Sequence, residues 1–409
     1  MLGKKKEKKP PKKGSMKELV DLSVKEMNEM GVVSDVCGQF RSLLMDQLSR
    51  VLVMETEDRE PKNYRELPSI TIGLVAGDGI GPIIMQQAIR VIHVLLDHEI
   101  ASGKVAIKEI QGLTIDNRLA KGQSVPVEVL DEIKMCDVLL KGPTSTPKGG
   151  SMESANVTLR RELDLYANVR PIQVPDEGID WTFFRENTEG EYVLGNKGVE
   201  VPGKLAVDFK VITEPGVRRI AKMAFEYAKN NNKTNMAVVT KANIMKKTDG
   251  NFSRICHEVG HNYPGITIED WYIDIMTANL INKDIRSKFQ VFVLPNLYGD
   301  IITDEAAEIQ GGVGTAGSAN IGDQFAMFEA IHGTAPRMIE EGLGPYANPS
   351  SLLKALQMLL QHIGFTAKAQ CLEMALNECC DTERRVVVTG FKDGATCEEF
   401  TDYVIEKLK

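Results

Sequence analysis

The segment TIGLVAGDGIGP, residues 71–82, joins a β-branched run to a helix-like pattern through a glycine-rich turn. A dinucleotide-binding fingerprint requires glycines at the first, third and sixth positions, but the sixth position counted from Gly77 is Pro82. A Walker motif is also excluded, because no Gly-Lys-Ser/Thr follows. The spacing favours a tight strand-to-helix turn, in which glycines adopt positive φ and Pro82 opens the helix. Whether this turn also contacts a ligand depends on the rest of the chain.

Beyond this segment, strand-like and helical runs alternate along the chain. The alternation predicts an α/β fold with a largely parallel central sheet. The predicted strands are 71–76, 105–110, 137–140, 235–242 and 291–297, and the predicted helices are 82–98, 126–134, 350–363 and 397–408. The Gly/Ala/Ser-rich segment 311–323 is typical of a loop.

Composition limits the classes of protein to which the chain can belong. Its 409 residues, 43% of them hydrophobic, suit a globular enzyme of two or three domains, or one large α/β domain with a subdomain. A formal net charge of −8 argues against general nucleic-acid binding. No apolar run approaches about 20 residues, so we expect neither a membrane span nor a signal peptide. The seven cysteines lack metal-ligand spacing, and the adjacent Cys379 and Cys380 do not suit a disulfide framework, so a reducing compartment is expected.

The N-terminal region differs in composition from the rest. Residues 1–15 form a lysine-rich tail that we expect to be disordered and that lacks the pattern of a mitochondrial presequence. Residues 16–68 are predicted to be a helical extension and linker, with one helix over 16–30 and a second that begins at Ser34 as its N-cap. One face of the second helix is apolar and consists of Phe40, Leu43, Leu44, Leu48 and Val51. This face requires burial, so we expect it to pack on the body or to support a higher assembly.

Two neighbouring segments combine arginines with small polar residues. SANVTLRRELDLYANVRP (154–171) contains Ser154, Asn156, Arg160 and Arg170, and RENTEGEY (185–192) contains Arg185. Each guanidinium group binds a carboxylate through paired hydrogen bonds, so three arginines suit a ligand with several carboxylates. The alternative is a solvated basic face with salt bridges to Glu162 and Asp164.

Acidic residues suggest a metal site. PNLYGDIITDEAAEIQGG (295–312) places Asp300 and Asp304 four residues apart, and a helix over 300–309 would put both on one face. Such carboxylates suit Mg²⁺ or Mn²⁺, although acids are also favourable in any first helical turn. Asp274, in WYIDIMTANL, is a third acid that we expect in an apolar environment, where it would need a partner or a metal.

A lysine and two loops complete the candidate residues. In VVTKANIMKKTDG (238–250), Lys241 ends a β-branched strand at the edge where α/β active sites form. A desolvated lysine there would act as a base, and an exposed lysine after a strand is the alternative. EAIHGTAPRM (329–338) and YANPSS (346–351) offer loop N–H groups, a histidine and an asparagine.

The motifs occur along the chain in an order that makes residues 70–409 resemble the isocitrate dehydrogenases. These enzymes belong to the β-decarboxylating dehydrogenase family, together with isopropylmalate dehydrogenase. The motifs that carry the resemblance are GDGIGP, KGP, SANVTLR, LDLYANVRP, RENTEGEY, KANIMK, PNLYGDIITD, HGTAP and ANP. The resemblance implies that family's α/β fold, which is not a Rossmann fold, with GDGIGP as a turn beside the active-site cleft. It also implies a large domain of 69–165 and 311–409, and a small domain of 166–310 with an intersubunit clasp near 190–212.

The same resemblance implies oxidative decarboxylation of isocitrate to 2-oxoglutarate, with Mg²⁺ or Mn²⁺, and assigns roles to single residues. The substrate-binding positions are matched by Thr146, Ser154, Asn156, Arg160, Arg170 and Arg185. Tyr192 matches the general acid, and Lys241 matches a base that acts from the partner subunit of a homodimer. Asp300 and Asp304 match metal ligands of one subunit, and Asp274 matches the ligand supplied by the other. The cofactor site is matched by Asn243 at the nicotinamide and by His332, Gly333, Thr334, Ala335, Arg337 and Asn348 at the adenosine end.

The choice between NAD and NADP depends on the residues after HGTAP. NAD enzymes of the family tend to have an acid and an apolar residue there and NADP enzymes have Lys-Tyr, whereas this chain has Arg337 and Met338. Arg337 suits a 2′-phosphate, but residues 386–394 lack the Tyr…Arg pair of bacterial NADP enzymes. Arg337 would instead pair with Glu340 or Glu341, so NAD is expected and NADP is the alternative.

Two other functions remain open. One is a dehydrogenase for homoisocitrate or another 2-hydroxy acid, and the other is a non-catalytic regulatory subunit of a heteromeric enzyme. Regulatory subunits of the family lose members of the arginine, tyrosine or aspartate sets, whereas every matched position is filled here, which favours catalysis. The cytoplasm is the expected compartment, with the mitochondrial matrix as the alternative.

Overall fold

The computed structural model describes residue 25 and residues 32–56, 60–147, 152–194, 197–201 and 203–409. The predicted disordered tail and, apart from residue 25, the predicted helix over 16–30 lie outside the described residues. Contacts divide the chain into two units, one of residues 1–56 and 196–209 and one of residues 57–195 and 210–409.

Helices and strands alternate through most of the chain. The α-helices are α1 (Val32–Thr56), α2 (Gly81–Ala101), α3 (Ile115–Lys121), α4 (Val127–Lys134), α5 (Ala155–Glu162), α6 (Glu214–Asn230), α7 (Thr248–Gly260), α8 (Ile273–Ile281), α9 (Asn296–Gln310), α10 (Pro336–Glu340), α11 (Ser350–His362), α12 (Thr366–Asn377) and α13 (Cys397–Leu408). The strands are β1 (Ile70–Val75), β2 (Val105–Glu109), β3 (Val138–Lys141), β4 (Ala167–Val174), β5 (Ile179–Glu186), β6 (Val199–Val201), β7 (Leu205–Val207), β8 (Asn235–Thr240), β9 (Thr267–Tyr272), β10 (Val291–Leu294), β11 (Gly317–Ile321) and β12 (Ala326–Ala330). Short 3₁₀-helices cover Pro175–Glu177, Arg286–Lys288, Val313–Thr315 and Gly344–Tyr346, and a π-helix covers Glu378–Thr382.

Ten strands form one sheet in the order β2-β1-β3-β12-β11-β4-β5-β10-β8-β9, and β6 pairs with β7. The pairs towards both ends of the sheet are parallel, which confirms the predicted α/β class. The middle pairs β12-β11, β11-β4 and β4-β5 are antiparallel. The sheet therefore changes direction in its centre, where β4 and β11 lie side by side.

The turn between β1 and α2 has the predicted conformation. Gly77 and Gly79 have φ of 75° and 59°, which L side chains rarely adopt, and Pro82 lies in the first turn of α2. A Cβ on Gly79 would overlap the carbonyl oxygen of Thr334, so the glycine allows a second loop to approach the turn. These glycines thus serve backbone geometry, as the spacing predicted.

The core explains why the β-branched run forms a strand. Ile72 and Leu74 of β1 and Leu140 of β3 are fully buried in one cluster with Ile84 and Ala88 of α2. Complete burial stabilises a large aliphatic side chain by roughly 1.5–3 kcal/mol. This contact holds the parallel strands β1 and β3 against α2.

The predicted loop over 311–323 is wrong. Its second half forms β11, which lies in the centre of the sheet between β12 and β4. The small residues of this strand have little strand preference, so the sequence does not indicate it. They permit close packing, because a Cβ on Gly317 would come within 2.6 Å of the backbone nitrogen of Ala355 in α11. Strands β4 and β5 were not predicted either, since buried polar residues such as Asn168 and Glu186 interrupt their apolar pattern.

Helix α1 differs from its prediction in two respects. It begins at Val32, so Ser34 is not its N-cap. On its predicted apolar face Leu43 is buried, but Phe40, Leu44 and Leu48 are each about half exposed. Its packing on the body or in an assembly stays a prediction. The described part of the chain contains no helix with the length and apolar character needed to cross a membrane.

Candidate active site

A cavity of about 320 Å³ is formed by the middle of the sheet and the helix that follows β10. The predicted site residues that line it are Ser154, Asn156, Arg160, Arg170, Tyr192, Asp300, Asp304, His332 and Gly333. The predicted site residues that do not line it are Thr146, Arg185, Lys241, Asn243, Asp274, Thr334, Ala335, Arg337 and Asn348. The fold thus gathers residues from five separate sequence segments around one space.

Two arginines with little exposed surface line this cavity. The guanidinium group of Arg170 on β4 donates hydrogen bonds to Thr303 Oγ1 at 2.6 Å and to Asp304 Oδ1 at 2.9 Å. Arg160 on α5 lies 3.4 Å from Glu329 of β12, and its buried Nε has no hydrogen-bond partner in the structure. An unpaired cationic donor at a cavity suits an anionic ligand.

The alternative of a solvated basic face is contradicted. Arg160 and Arg170 are almost fully covered. The two acids named in that alternative pair with other residues, since Glu162 lies 3.7 Å from Arg161 and Asp164 lies 2.7 Å from Arg219.

Arg185 lies behind the cavity and does not line it. Its Nε and Nη2 donate to Asn296 Oδ1 at 3.0 and 2.6 Å, and its Nη1 pairs with Asp300. Burial and the nearby Arg160 lower the pKa of Arg185 to about 9. The guanidinium group of Arg185 is thus tied to Asn296 in the first turn of α9 and to Asp300.

Helix α9 presents the two predicted metal ligands together. Asp300 and Asp304 lie one turn apart on one face, with 39% and 61% of their side chains exposed. Burial opposes ionisation of Asp300, but Arg185 and the hydroxyl group of Tyr192 hold its pKa below the usual range. Asp300 is therefore a carboxylate at neutral pH, and carboxylate oxygens are the ligand type that Mg²⁺ and Mn²⁺ require.

The apolar environment expected for Asp274 is wrong. Asp274 lies in the first turn of α8 with 66% of its side chain exposed, and the adjacent Ile275 is exposed as well, whereas Met276 is buried in the core. The carboxylate pairs at 2.6 Å with Lys241, which follows β8. Neither residue lines the cavity, and the described residues contain no group of three or more His, Cys, Asp or Glu side chains that would hold a metal.

Tyr192 points into the cavity towards α9. Burial, and then a hydrogen bond of 2.8 Å to Asp300, raise the pKa of its hydroxyl group to about 12. The hydroxyl group is therefore protonated at neutral pH, as a general acid must be.

The loop after β12 carries the residues predicted to meet the adenosine end of the cofactor. His332 lines the cavity, burial lowers its pKa, and its buried Nε2 has no hydrogen-bond partner in the structure. The carbonyl oxygen of Thr334 accepts a hydrogen bond of 3.1 Å from the backbone N–H of Ile80. The GDGIGP turn thus braces the HGTAP segment.

The remaining cofactor candidates lie outside the cavity. Arg337 is 86% exposed and pairs with Glu341 at 2.6 Å, which confirms one of its two predicted partners. Asn348 lines a separate cavity and accepts a hydrogen bond from the backbone N–H of Ser350. Thr146 is exposed.

Sequence reasoning missed two residues of this site. Asn296 precedes Asp300 by one helical turn and binds Arg185, so its spacing within PNLYGD was a usable signal. Glu329 lines the cavity three residues before His332 and pairs with Arg160 and Lys141. The sequence signal for Glu329 was an acidic residue within an apolar run.

Comparisons with known proteins identify the family of this chain. A family model described as isocitrate/isopropylmalate dehydrogenase matches residues 71–404. The mitochondrial isocitrate dehydrogenase (NAD) subunit alpha of Macaca fascicularis is 36% identical over 348 residues, which cover 83% of this chain and 95% of the relative. The isocitrate dehydrogenase (NADP) of Rickettsia prowazekii (strain Madrid E) is 39% identical over 316 residues, which cover 74% of this chain and 62% of the relative. The crystal structure of isocitrate dehydrogenase from Methylococcus capsulatus aligns with a TM-score of 0.73 and 33% identity, covering 83% of this chain and 99% of that one. This chain belongs to the isocitrate/isopropylmalate dehydrogenase family.

Proposed function

We propose that the protein is a metal-dependent isocitrate dehydrogenase that converts isocitrate to 2-oxoglutarate and CO₂ while it reduces NAD or NADP. The observation that carries this proposal is the single cavity in which Arg160, Arg170, Tyr192, Asp300 and Asp304 meet. The relatives named isocitrate dehydrogenase, of NAD and NADP types, support the same reaction.

The arginines account for substrate binding. Isocitrate carries three carboxylates, and the guanidinium groups of Arg160 and Arg170 would each bind one of them. Ser154 and Asn156, at the start of α5, add a hydroxyl and an amide on the same wall of the cavity. Arg185 would support them from behind by orienting Asp300.

The acidic residues fit a divalent cation. Asp300 and Asp304 would hold Mg²⁺ or Mn²⁺ at the cavity, and Asp274 of a partner subunit would complete the ligand set. The partner is required because Asp274 does not line the cavity of its own chain. When bound, the cation supplies a Lewis acid that stabilises negative charge developing on substrate oxygens.

Proton transfer is assigned to two residues. Lys241, acting from the partner subunit of a homodimer, would take the hydroxyl proton of isocitrate, and the nicotinamide, when bound, would supply the acceptor for the hydride. The carboxylate β to the new carbonyl group then leaves as CO₂, and Tyr192 donates a proton to the carbon that loses it. Lys241 and Asp274 are paired within one chain, so both would reach the partner's cavity together.

We further propose NAD as the preferred cofactor. His332, the backbone of 333–335, Asn348 and Arg337 would surround the adenosine end, and Asn243 would contact the nicotinamide. The pairing of Arg337 with Glu341 supports NAD, because it neutralises the cation that a 2′-phosphate would need. The same proposal includes domain boundaries at 165/166 and 310/311, an intersubunit clasp near 190–212 and a cytoplasmic location.

The test is isocitrate oxidation by the purified full-length chain with Mn²⁺ or Mg²⁺, followed by reduced-nicotinamide absorbance with NAD and NADP in separate assays. Homoisocitrate and isopropylmalate serve as competing substrates, and Arg160→Met serves as a variant that should raise the KM for isocitrate. Turnover that requires the metal is expected. Absence of turnover with both cofactors would contradict the proposal and favour a regulatory subunit.

A further inference from the structure

A buried amide side chain lies between the two arginines of the cavity. Asn320 of β11 is fully buried, and its Oδ1 accepts hydrogen bonds of 3.0 Å from Asn168 and from Asn187. Its Nδ2 donates to Glu329 Oε1 at 2.8 Å and to the carbonyl oxygen of Met327 at 3.4 Å. The amide therefore uses both acceptor positions and both donors.

The antiparallel centre of the sheet creates this arrangement. Asn320 lies directly opposite Asn168 on β4 and opposite Met327 on β12. Side chains of directly opposed residues share a face of the sheet and approach one another. Asn320 can consequently contact β4 on one side and β12 on the other.

Two of the four contacts of Asn320 lead to the two arginines. On the β4 side, Asn168 Oδ1 accepts a hydrogen bond of 2.8 Å from Arg170 Nε. On the β12 side, Glu329 lies 3.4 Å from Arg160 and 3.0 Å from Lys141. Asn320 thus joins Arg170 to Arg160 through one intermediate side chain in each direction.

The intermediate carboxylate is held in its charged form. Burial opposes ionisation of Glu329, but Lys141 and Arg160 outweigh it and lower its pKa to about 2. Because Asn320 is uncharged, it donates to this carboxylate without altering the local charge balance. A residue of similar size with a negative charge would repel Glu329 at hydrogen-bond distance.

We propose that Asn320 is a positioning residue, which fixes the separation and orientation of Arg160 and Arg170 and so selects a substrate with carboxylates at that spacing. The proposal rests on the proposed function. Its physical basis is that a guanidinium fork binds a carboxylate well only in a defined orientation, and a fully paired buried network holds that orientation before substrate arrives.

The experiment replaces the amide by a carboxylate of the same shape. Asn320→Asp keeps an acceptor for Asn168 but turns the donor towards Glu329 into a repelling oxygen, so Glu329 and Arg160 move. We expect the KM for isocitrate to rise about tenfold or more, with a smaller change in kcat and little change in the KM for NAD. The rise should shrink as the pH falls, because one proton shared by the two carboxylates restores the hydrogen bond.

Two further variants separate positioning from folding. The double variant Asn320→Asp/Glu329→Gln exchanges donor and acceptor and keeps the total charge, so it should recover several-fold of the lost affinity. Asn235→Asp is the matched control, because Asn235 on β8 donates to Glu269 at 3.4 Å away from the cavity, and its KM should stay at the wild-type value. If Asn320→Asp does not fold, Asn320→Ser replaces it, since a hydroxyl is too short to reach both Asn168 and Glu329.

The outcomes divide clearly. A folded Asn320 variant with wild-type KM, or an equal rise in Asn235→Asp, would refute the positioning role and leave the proposed function standing. An Asn320→Asp variant that loses kcat and melting temperature without a change in KM would show a merely structural role. Failure of the wild-type chain to turn over isocitrate would refute the proposed function and this inference with it.

Discussion

The hydroxyl group of Tyr192 donates a hydrogen bond of 2.8 Å to Oδ2 of Asp300, so the proposed general acid contacts a proposed metal ligand directly. Asp300 also pairs with Arg185, which lies behind it in the interior. Acid, ligand and guanidinium group therefore form one connected unit near the N-terminal end of α9. We expect that replacing any one of these three side chains disturbs the other two, because each holds the next in place.

Replacing Tyr192 by Phe should lower kcat by about 10²–10⁴-fold and leave the KM for isocitrate nearly unchanged. The change removes the proton donor and keeps the ring, and steady-state kinetics with isocitrate measure it. Tyr263→Phe is the matched control, since that hydroxyl group donates to Glu226 at 2.6 Å outside the cavity. Equal kcat values for Tyr192→Phe and the wild type would remove Tyr192 from the mechanism.

The shared active site can be tested by mixing two inactive chains. Lys241→Met and Tyr192→Phe homodimers should each be nearly inactive, but a hybrid dimer contains one site with an intact Tyr192 and a partner's intact Lys241. Random mixing after dissociation should restore roughly a quarter of wild-type activity. Activity that stays at the level of the parent variants would place Lys241 in the site of its own chain.

Asp304→Asn should weaken Mn²⁺ binding by at least about tenfold, because it removes one exposed carboxylate from the proposed ligand set. Calorimetric titration of the purified chain with Mn²⁺ in the presence of isocitrate measures this without turnover. The control is Glu308→Gln, an exposed acid one turn further along α9. An unchanged Mn²⁺ affinity in Asp304→Asn would contradict the assignment.

Cofactor preference should depend on Arg337 only weakly in the wild type, because Glu341 already pairs with it at 2.6 Å. We expect a higher kcat/KM with NAD than with NADP. Glu341→Gln should then free the guanidinium group and move the preference towards NADP by up to about tenfold, whereas Arg337→Asp should move it towards NAD. A wild-type kcat/KM at least about tenfold higher with NADP would overturn the expected preference.

The stability of the chain should fall below pH 6.5 partly because of His362. Its ring packs against Tyr64 and Phe328, with centroids 5.0 and 5.4 Å away, and burial lowers its pKa to about 4. The folded state prefers the neutral ring, so the contribution of His362 to the free energy of unfolding is complete above pH 6.5. It is lost as the pH falls towards 4, and the total loss is at most about 3 kcal/mol.

His362→Phe should accordingly flatten the dependence of the melting temperature on pH between 6.5 and 4. The control is His93→Gln, which changes an exposed histidine on α2 and should leave that dependence as it is. Parallel curves for His362→Phe and the wild type would show that the ring does not contribute.

Local patterns in the sequence determined the elements whose causes are local. The β1 strand, the glycine turn and α2 were predicted because φ > 0 at Gly77 and Gly79 and the fixed φ of Pro82 act within a few residues. The helical face shared by Asp300 and Asp304 followed in the same way from their spacing of four. The ordered motifs indicated the family, which the comparisons show.

Only the tertiary structure decided which of the candidate residues meet. Segment 311–323 resembles a loop because glycine and small residues have little strand preference, yet close packing against α11 makes part of it the central strand β11. The exposure of Asp274 and the contact of Arg185 with Asn296 likewise depend on residues distant in sequence. Periodicity indicates on which face of its helix or strand a residue lies. Burial and pairing depend on which other elements cover that face, and a local stretch of sequence does not contain this information.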